Sequence, residues 1–162
     1  MAERTDLDPV DLRRVFGAFP SGVTAVAALV DSVPVGLAAS SFTSVSLDPP
    51  LVSVCIARTS STWPQLRRAA RLGISVLAAD QAGLGRQLSG RGDRFAGATW
   101  RAARGGEILL DGACAWLDCS IEREIPAGDH EIVLLRVHAL DADRDVPPLV
   151  FHRSTFSRLH AA

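Results

Sequence analysis

The chain has 162 residues, 48% of them hydrophobic, and its charges nearly cancel at a formal net charge of −1. This length predicts one domain over 1–162, with a folded core at about 10–159 that needs no metal or disulfide to hold it together. The near-neutral charge argues against nucleic acid or an anionic membrane as a partner, because both select basic surfaces.

Several absent features narrow the class of protein further. The first six residues are polar and lead into no apolar signal-peptide core, which predicts a cytoplasmic protein. No apolar run approaches the roughly 20 residues of a membrane-spanning helix. Cys55, Cys114 and Cys119 form no C-x-x-C pair, so neither a disulfide framework nor a metal site is predicted. The absence of Lys excludes Schiff-base and P-loop chemistry.

Three short helices are predicted from capping residues and from apolar side chains at helical spacing. They extend from Asp8 as N-cap to about Phe19, from Thr62 or Ser61 as N-cap to about Arg71, and from Asp80 as N-cap toward Leu88. Phe19 is placed on the apolar face of the first helix.

Strands are predicted where alternating or buried apolar runs lie between turn residues. In chain order they are 23–30, 35–39, 42–47, 51–57, 72–77, 115–124, 132–142 and 149–151. No regular alternation of strand and helix occurs, which argues against a doubly wound parallel sheet. The pattern predicts a mainly β protein: an antiparallel, Greek-key-like barrel with a few short helices.

One segment with possible chemistry lies at the end of a predicted strand, at 36–46. Its small residues would let backbone N–H groups approach a flat ligand, and its serines add hydroxyl donors. An ordinary Ser-rich connection between strands would have the same composition. The candidate residues here are Gly36, Ala38, Ala39, Ser40, Ser41 and Phe42.

A second segment, 55–64, combines a strand end, an arginine, a run of hydroxyls and a predicted helix start. These groups together suit a phosphate, although an ordinary N-cap beside a surface arginine would look the same. The candidates are Arg58, Thr59, Ser60, Ser61 and Thr62.

Three further segments are less specific. The Gly-rich stretch 87–95 could close over a ligand or be a solvated loop with Arg–Asp pairing, and its candidates are Leu88, Ser89, Arg94 and Phe95. His130 lies in a predicted loop, where it could face a ligand and titrate near neutral pH or be merely exposed. Phe151 and Arg153 end the last predicted strand.

In their order and spacing these segments resemble the flavin reductase family, the small reductase components of two-component flavin-dependent monooxygenases. The resemblance extends from about Leu12 to about Leu159. It is carried by FPSGVT at 19–24, ASSFTSVSLDPPLV at 39–52, RTSSTW at 58–63, DRFAG at 93–97, GDH at 128–130 and PLVF at 148–151.

The resemblance implies an FMN-binding split β-barrel that works as a homodimer. The enzyme would transfer hydride from NADH or NADPH to FMN, with FAD possible, and supply reduced flavin to a separate monooxygenase. The segment at 36–42 would hold the flavin ring, that at 58–62 the phosphate, and Leu88, Ser89, Arg94 and Phe95 would close the far side. His130 would be catalytic, at the nicotinamide site, with Phe151 and Arg153 nearby.

Other functions on a similar barrel stay open at this stage. The chain could keep FMN bound and act on another small molecule, or be a non-catalytic flavin-binding module. A relative of pyridoxamine-phosphate oxidase is a further alternative, against which the GDH element argues by resemblance. The family often has a Tyr and a Gly around the last arginine, where this chain has Phe151-His152-Arg153-Ser154.

Overall fold

The computed structural model describes residues 7–160. The polar start at 1–6, on which the predicted cytoplasmic location depends, lies outside the described residues. The helices are α1 (Pro9–Phe16), α2 (Trp63–Leu66) and α3 (Ala82–Ser89). Asp8 caps α1 as predicted, because its carboxylate accepts a hydrogen bond of 2.8 Å from the backbone N–H of Val10.

Strands make up most of the regular structure. They are β1 (Ser21–Gly22), β2 (Thr24–Val30), β3 (Val33–Ala39), β4 (Thr43–Leu47), β5 (Pro50–Ala57), β6 (Leu72–Val76), β7 (Trp100–Ala102), β8 (Ile108–Leu110), β9 (Ala115–Ala127), β10 (His130–Ala142), β11 (Leu149–His152) and β12 (Thr155–Arg158).

The main sheet has seven strands in the order β3-β2-β6-β9-β10-β5-β4. Smaller sheets of order β1-β11-β12 and β7-β8 lie beside it. Within residues 7–160 every strand pair is antiparallel. The edge strands β3 and β4 are joined only by residues 40–42, so the two ends of the main sheet are brought near each other by a short connection.

Strand β2 shows why the core has two parts. Successive side chains of a strand point to opposite faces of its sheet. Val26 and Ala28 therefore contribute to one buried cluster, which also contains Ile74 and Val133. Ala25 and Ala27 contribute to a second cluster on the other face, between the sheet, α3 and the smaller sheets. Both faces of β2 are covered, which accounts for its nearly continuous apolar sequence.

Close packing on the second face requires glycine at one position. A Cβ atom on Gly73 in β6 would lie 1.9 Å from the carbonyl oxygen of Ile108 in β8. The β7–β8 hairpin therefore crosses the main sheet in backbone contact, which a larger residue at 73 would prevent.

The predicted second helix is wrong in length, since α2 ends at Leu66 and not at about Arg71. Two arginines after α2 bind carboxylates on β9. Arg67 lies 2.6 Å from Glu124 and Arg71 lies 3.0 Å from Asp118. We infer that these tertiary contacts outweigh the weak helix propensity of 67–71, so that the helix ends early and the chain continues into β6.

Other boundaries also differ from the predictions. Gln81 and not Asp80 occupies the N-cap position of α3, and its side chain bonds to the backbone at Ala78 and Asp111 instead of capping the helix. Phe19 lies beyond the end of α1. His130 is not in a loop: it is the first residue of β10 and pairs with Ala127.

The pattern-based predictions missed β1, β12 and the β7–β8 hairpin. These strands have two to four residues, too few for an alternating pattern to be recognised. Among the helices of residues 7–160, none is long and apolar enough to cross a membrane.

Candidate functional site

A cavity of about 530 Å³ opens where β3 and β5 end, beside the connection at 40–42. This volume falls within the range of small-molecule and cofactor sites. One wall comes from β3 and the serines after it, the opposite wall from the end of β5 and the hydroxyl-rich residues after it. The third side comes from α3 and the loop that follows, and His130 lies at the start of β10.

The wall formed by β3 is lined by small side chains and a free backbone edge. Ala38, Ala39 and Ser40 face the cavity. The carbonyl of Gly36 accepts a hydrogen bond from Arg94, so it points away from β2. Because the backbone groups of alternate residues in an antiparallel strand point the same way, Ala38 also directs its N–H and C=O away from β2. A flat, polar-edged ligand could pair with this edge.

The hydroxyl-rich segment forms the opposite side, with Thr59, Ser60, Ser61 and Thr62 all lining the cavity. The hydroxyl of Ser60 accepts a hydrogen bond of 3.1 Å from the N–H of Trp63, so this serine holds the start of α2. Because α2 has only four residues, the predicted contribution of a helix dipole to phosphate binding is small. Without a helix dipole, the groups at this cavity that can bind an anion are the hydroxyls and a guanidinium.

Arg94 is the guanidinium that lines the cavity. It donates to the carbonyl of Gly90 at 2.9 Å, to that of Gly36 at 3.0 Å and to the hydroxyl of Thr62 at 3.0 Å. Its Nη2 group makes no hydrogen bond to residues 7–160. Gln87 holds the same loop by donating to the carbonyls of Arg94 and Ala96. Arg94 thus joins three segments around the cavity, and its Nη2 group has no partner among residues 7–160.

Arg58 lies apart from this group. Its side chain is exposed and does not line the cavity, whereas its backbone N–H donates to the carbonyl of Asp129 at 2.9 Å. A role of the Arg58 side chain in phosphate binding stays a prediction.

Three other predicted residues also lie outside the cavity lining. Phe95 is buried in the second core cluster, and Phe42 packs against the first. A Cβ atom on Gly36 would come within 2.8 Å of the Phe95 ring. Gly36 and Phe95 line an adjacent cavity of about 240 Å³, which shares Thr62 and Arg94 with the main cavity.

His130 reaches the cavity at the start of β10, opposite Ala57 at the end of β5. Its Nδ1 lies 2.7 Å from the carboxylate of Asp129, and the His130 side chain is 45% exposed. The hydrogen bond from His130 and the proximity of its ring lower the pKa of the Asp129 carboxyl below its ordinary value. An ionised Asp129 orients the ring, so the opposite nitrogen, Nε2, is left for a ligand.

The last two predicted residues, Phe151 and Arg153, lie in different places. Phe151 does not line the main cavity but lines a small apolar pocket of about 90 Å³, which shares Ala38, Ala39, Ser40 and Ser89 with it. Arg153 lies in the turn between β11 and β12 and lines neither. A role of this arginine on the nicotinamide side stays a prediction.

The remaining predicted residues, Leu88 and Ser89, line the cavity from the end of α3. Four residues of the lining lie within the predicted segments 36–46 and 55–64 but were not named as site residues: Leu37, Cys55, Ile56 and Ala57. They belong to buried strand segments whose apolar pattern predicts only a core position. The β5–β10 register, which brings the end of β5 to the cavity, is not encoded in that pattern.

An antiparallel sheet with an open, hydroxyl-rich cleft between its two ends suits a flat, phosphorylated cofactor. The chain belongs to the flavin reductase like domain family, whose model matches residues 16–160. This membership confirms the resemblance identified in the sequence.

Individual relatives agree with this assignment over nearly the whole chain. A flavin reductase of Pseudomonas putida is 37% identical over 155 residues, which cover 94% of this chain and 91% of that protein. The reductase subunit HsaB of a flavin-dependent monooxygenase from Rhodococcus jostii (strain RHA1) is 38% identical over 152 residues, covering 93% and 78%.

A solved structure confirms the predicted fold class. The NADH:FAD oxidoreductase SgcE6 of Streptomyces globisporus C-1027, in complex with NAD and FAD fragments, superposes with a TM-score of 0.90. It is 38% identical, and the match covers 98% of both chains.

Proposed function

We propose that this protein is an NAD(P)H-dependent flavin reductase whose single domain binds the flavin in the cavity between β3 and β5. The observation that carries the proposal is the composition of that cavity. One wall has small residues and a free backbone edge, and the opposite wall has four consecutive hydroxyl residues, of which Thr62 accepts a hydrogen bond from Arg94. These two walls match the two parts of a flavin, a flat ring with polar edges and a phosphorylated ribityl chain.

The residues present fit that cofactor group by group. Ala38 and Ala39 leave room for a flat ring, and the backbone of β3 can donate to its polar edge. The hydroxyls at 59–62 and the Nη2 group of Arg94 can hold the phosphate. When bound, the flavin supplies the redox chemistry by accepting hydride from the nicotinamide. The protein supplies binding and orientation, and no general base is required.

His130 is the proposed contact for the nicotinamide. It lies at the cavity with its ring oriented by Asp129, so it can hold the nicotinamide ring over the flavin ring. Hydride transfer needs both rings in a near-attack arrangement, at about 3–3.5 Å. We expect the loss of His130 to weaken nicotinamide binding more than flavin binding.

The exposed apolar side chains support a homodimer. No residue of α1 is buried, and Phe16 is 70% exposed. Leu47 at the end of β4 is 97% exposed. Large apolar side chains in such positions are typical of interaction surfaces. A second copy of the chain that covers α1 and β4 would account for both.

Reduced flavin would pass to a separate flavin-dependent monooxygenase. The similarity to HsaB, a monooxygenase reductase subunit, supports this partnership. The open cavity would let a reduced flavin leave. FMN is the proposed flavin with FAD as the alternative, and the similarity to an NADH:FAD oxidoreductase supports NADH as the donor. A cytoplasmic location, where NADH is available, is part of this proposal.

The test is the loss of NADH absorbance with and without added flavin, run with each pairing of NADH or NADPH with FMN or FAD. Turnover that depends on added flavin supports the proposal and identifies both preferences. Absence of turnover from folded protein with every pairing contradicts it. Tightly bound flavin that neither nicotinamide reduces would instead identify a non-catalytic flavin-binding module.

A further inference from the structure

We infer that Ser41 is a positioning residue whose hydroxyl terminates the β4–β5 ladder and so keeps the backbone at 40–42 free of β5 at the cavity. The inference rests on the proposed flavin-binding function and adds a role that the cavity lining alone does not assign. It also departs from the prediction that the Ser41 hydroxyl is a donor to the flavin.

The register of β4 and β5 shows what Ser41 replaces. Thr43 pairs with Ser53 in this antiparallel ladder. The same register, extended by two residues on each strand, places residue 41 opposite Cys55. β4 nevertheless begins only at Thr43, so the backbone of residue 41 does not make that pair.

The Ser41 side chain makes both hydrogen bonds of the missing pair. The backbone N–H of Cys55 donates to the Ser41 hydroxyl at 2.8 Å, and the hydroxyl donates to the carbonyl of Cys55 at 3.1 Å. A hydroxyl has a single proton to donate. That proton is engaged with Cys55, which leaves no Ser41 proton for a ligand.

This substitution has a consequence for the cavity. Because a side chain lies between the two backbones, the main chain at 40–42 is held away from β5 by the length of that side chain. Ser41 and Cys55 both line the cavity at this point. Among residues 7–160, the backbone carbonyl of Ser41 has only a long contact, 3.5 Å from the Thr43 hydroxyl. The backbone around Ser41 is thus kept available to a ligand, while β5 keeps its hydrogen bonds satisfied.

The hydroxyl is the group that this arrangement requires. Alanine at 41 would leave the N–H and C=O of Cys55 without partners in a partly buried position, which is costly. Threonine would keep the hydroxyl. Cysteine would keep nearly the same shape but with a weak donor and acceptor. The three variants therefore separate hydrogen bonding from side-chain volume.

Two measurements on the full chain test the inference. The first is hydrogen exchange of the Cys55 amide, measured by NMR in flavin-free protein. It reports whether Ser41 bridges to Cys55 through its two hydrogen bonds, and it needs no enzymatic turnover. The second is the dissociation constant for FMN and FAD by equilibrium dialysis. The variants are Ser41→Ala, Ser41→Thr and Ser41→Cys, and the control is Ser44→Ala, which removes an exposed hydroxyl of β4 outside the cavity.

In Ser41→Ala we expect exchange at Cys55 to accelerate about tenfold and flavin to bind about tenfold more weakly. Each change corresponds to the loss of about one net hydrogen bond. Ser41→Thr should remain within about threefold of the unchanged protein in both, and Ser44→Ala should match it. If Ser41→Ala does not fold, the contrast between Ser41→Cys and Ser41→Thr carries the same comparison.

Unchanged Cys55 exchange in Ser41→Ala or Ser41→Cys would overturn the inference. So would weakened flavin binding with unchanged exchange, since that identifies the hydroxyl as a direct flavin donor. Failure of the unchanged protein to bind flavin would overturn the proposed function instead. That result is distinguishable, because the exchange measurement still reports whether the bridge exists.

Discussion

At the scale of single residues, composition identified the residues of the cavity better than it identified their roles. Hydroxyl and small residues at 38–41 and 59–62 were predicted to surround a ligand, and the structure brings both groups to one cavity. The role of Arg94 as the link between three segments depends on contacts far apart in sequence. Such contacts cannot be predicted from local pattern, and for the same reason Arg58 was predicted at a cavity that its side chain does not line.

His130 gives the first prediction at this scale. His130→Ala should raise the KM for NADH about tenfold, which corresponds to ~1.4 kcal/mol of binding free energy. It should change the flavin dissociation constant less than threefold. The physical reason is that His130 lines the cavity with Nδ1 held by Asp129, and Nε2 is the nitrogen proposed to contact the nicotinamide. Steady-state kinetics and equilibrium dialysis measure the two quantities.

His138→Ala is the matched control, because His138 is an exposed histidine of β10 that bonds Ser120 outside the cavity. It should leave both constants unchanged. An unchanged KM for NADH in His130→Ala would remove His130 from the nicotinamide site.

At the scale of elements, strands with long, nearly continuous apolar runs were predicted more accurately than helices and short strands. The predicted strands at 23–30 and 51–57 match β2 and β5 within a residue or two, because both faces of each are buried. The predicted helix at 62–71 failed because Arg67 and Arg71 bind carboxylates on β9, which was not visible in the sequence. The β5–β10 register, which places His130 opposite Ala57, likewise depends on pairing between segments distant in sequence.

Helix α1 gives the prediction at this scale. Phe16→Glu should convert the proposed homodimer to a monomer, because burying an unpaired carboxylate in an apolar contact is costly. Size-exclusion chromatography with light scattering measures the mass. Ala103→Glu, an exposed change in the turn between β7 and β8, should leave the dimer intact.

An unchanged protein that elutes as a monomer with full reductase activity would contradict the homodimer itself. A dimeric Phe16→Glu variant would show instead that α1 lies outside the interface.

At the scale of the whole molecule, the buried thiol of Cys119 links stability to alkaline pH. Burial, reinforced by the charge of Asp118, raises its pKa from 9.0 to about 12. The folded state therefore keeps a proton that the unfolded chain loses above 9.0. Stability from this group is fully present below 9.0 and is lost as the pH rises toward 12, at up to ~1.4 kcal/mol per pH unit.

Cys119→Ala tests this link. The variant should be less stable at neutral pH by about 1 kcal/mol, the usual result of a small core deletion. Above pH 9 its deficit should shrink, since it has no thiol to ionise. The chain has no Tyr and no Lys, so neither phenols nor amine side chains obscure the titration.

Urea unfolding at a series of pH values measures the deficit. A deficit for Cys119→Ala that stays constant across the range would exclude Cys119 as the source.

The proposed reaction is the reduction, by a nicotinamide, of a flavin held in the cavity between β3 and β5. The most direct measurement is anaerobic bleaching of the visible flavin band on mixing with NADH, compared between the unchanged protein, Ser40→Trp and Ala103→Trp. Ser40 is exposed and lines the cavity, so tryptophan there fills the flavin site without disturbing the core, whereas Ala103 lies far along the chain in an exposed turn. We predict rapid bleaching in the unchanged protein and in Ala103→Trp, and almost none in folded Ser40→Trp. Equal bleaching in all three would contradict the account, because flavin would then be reduced elsewhere.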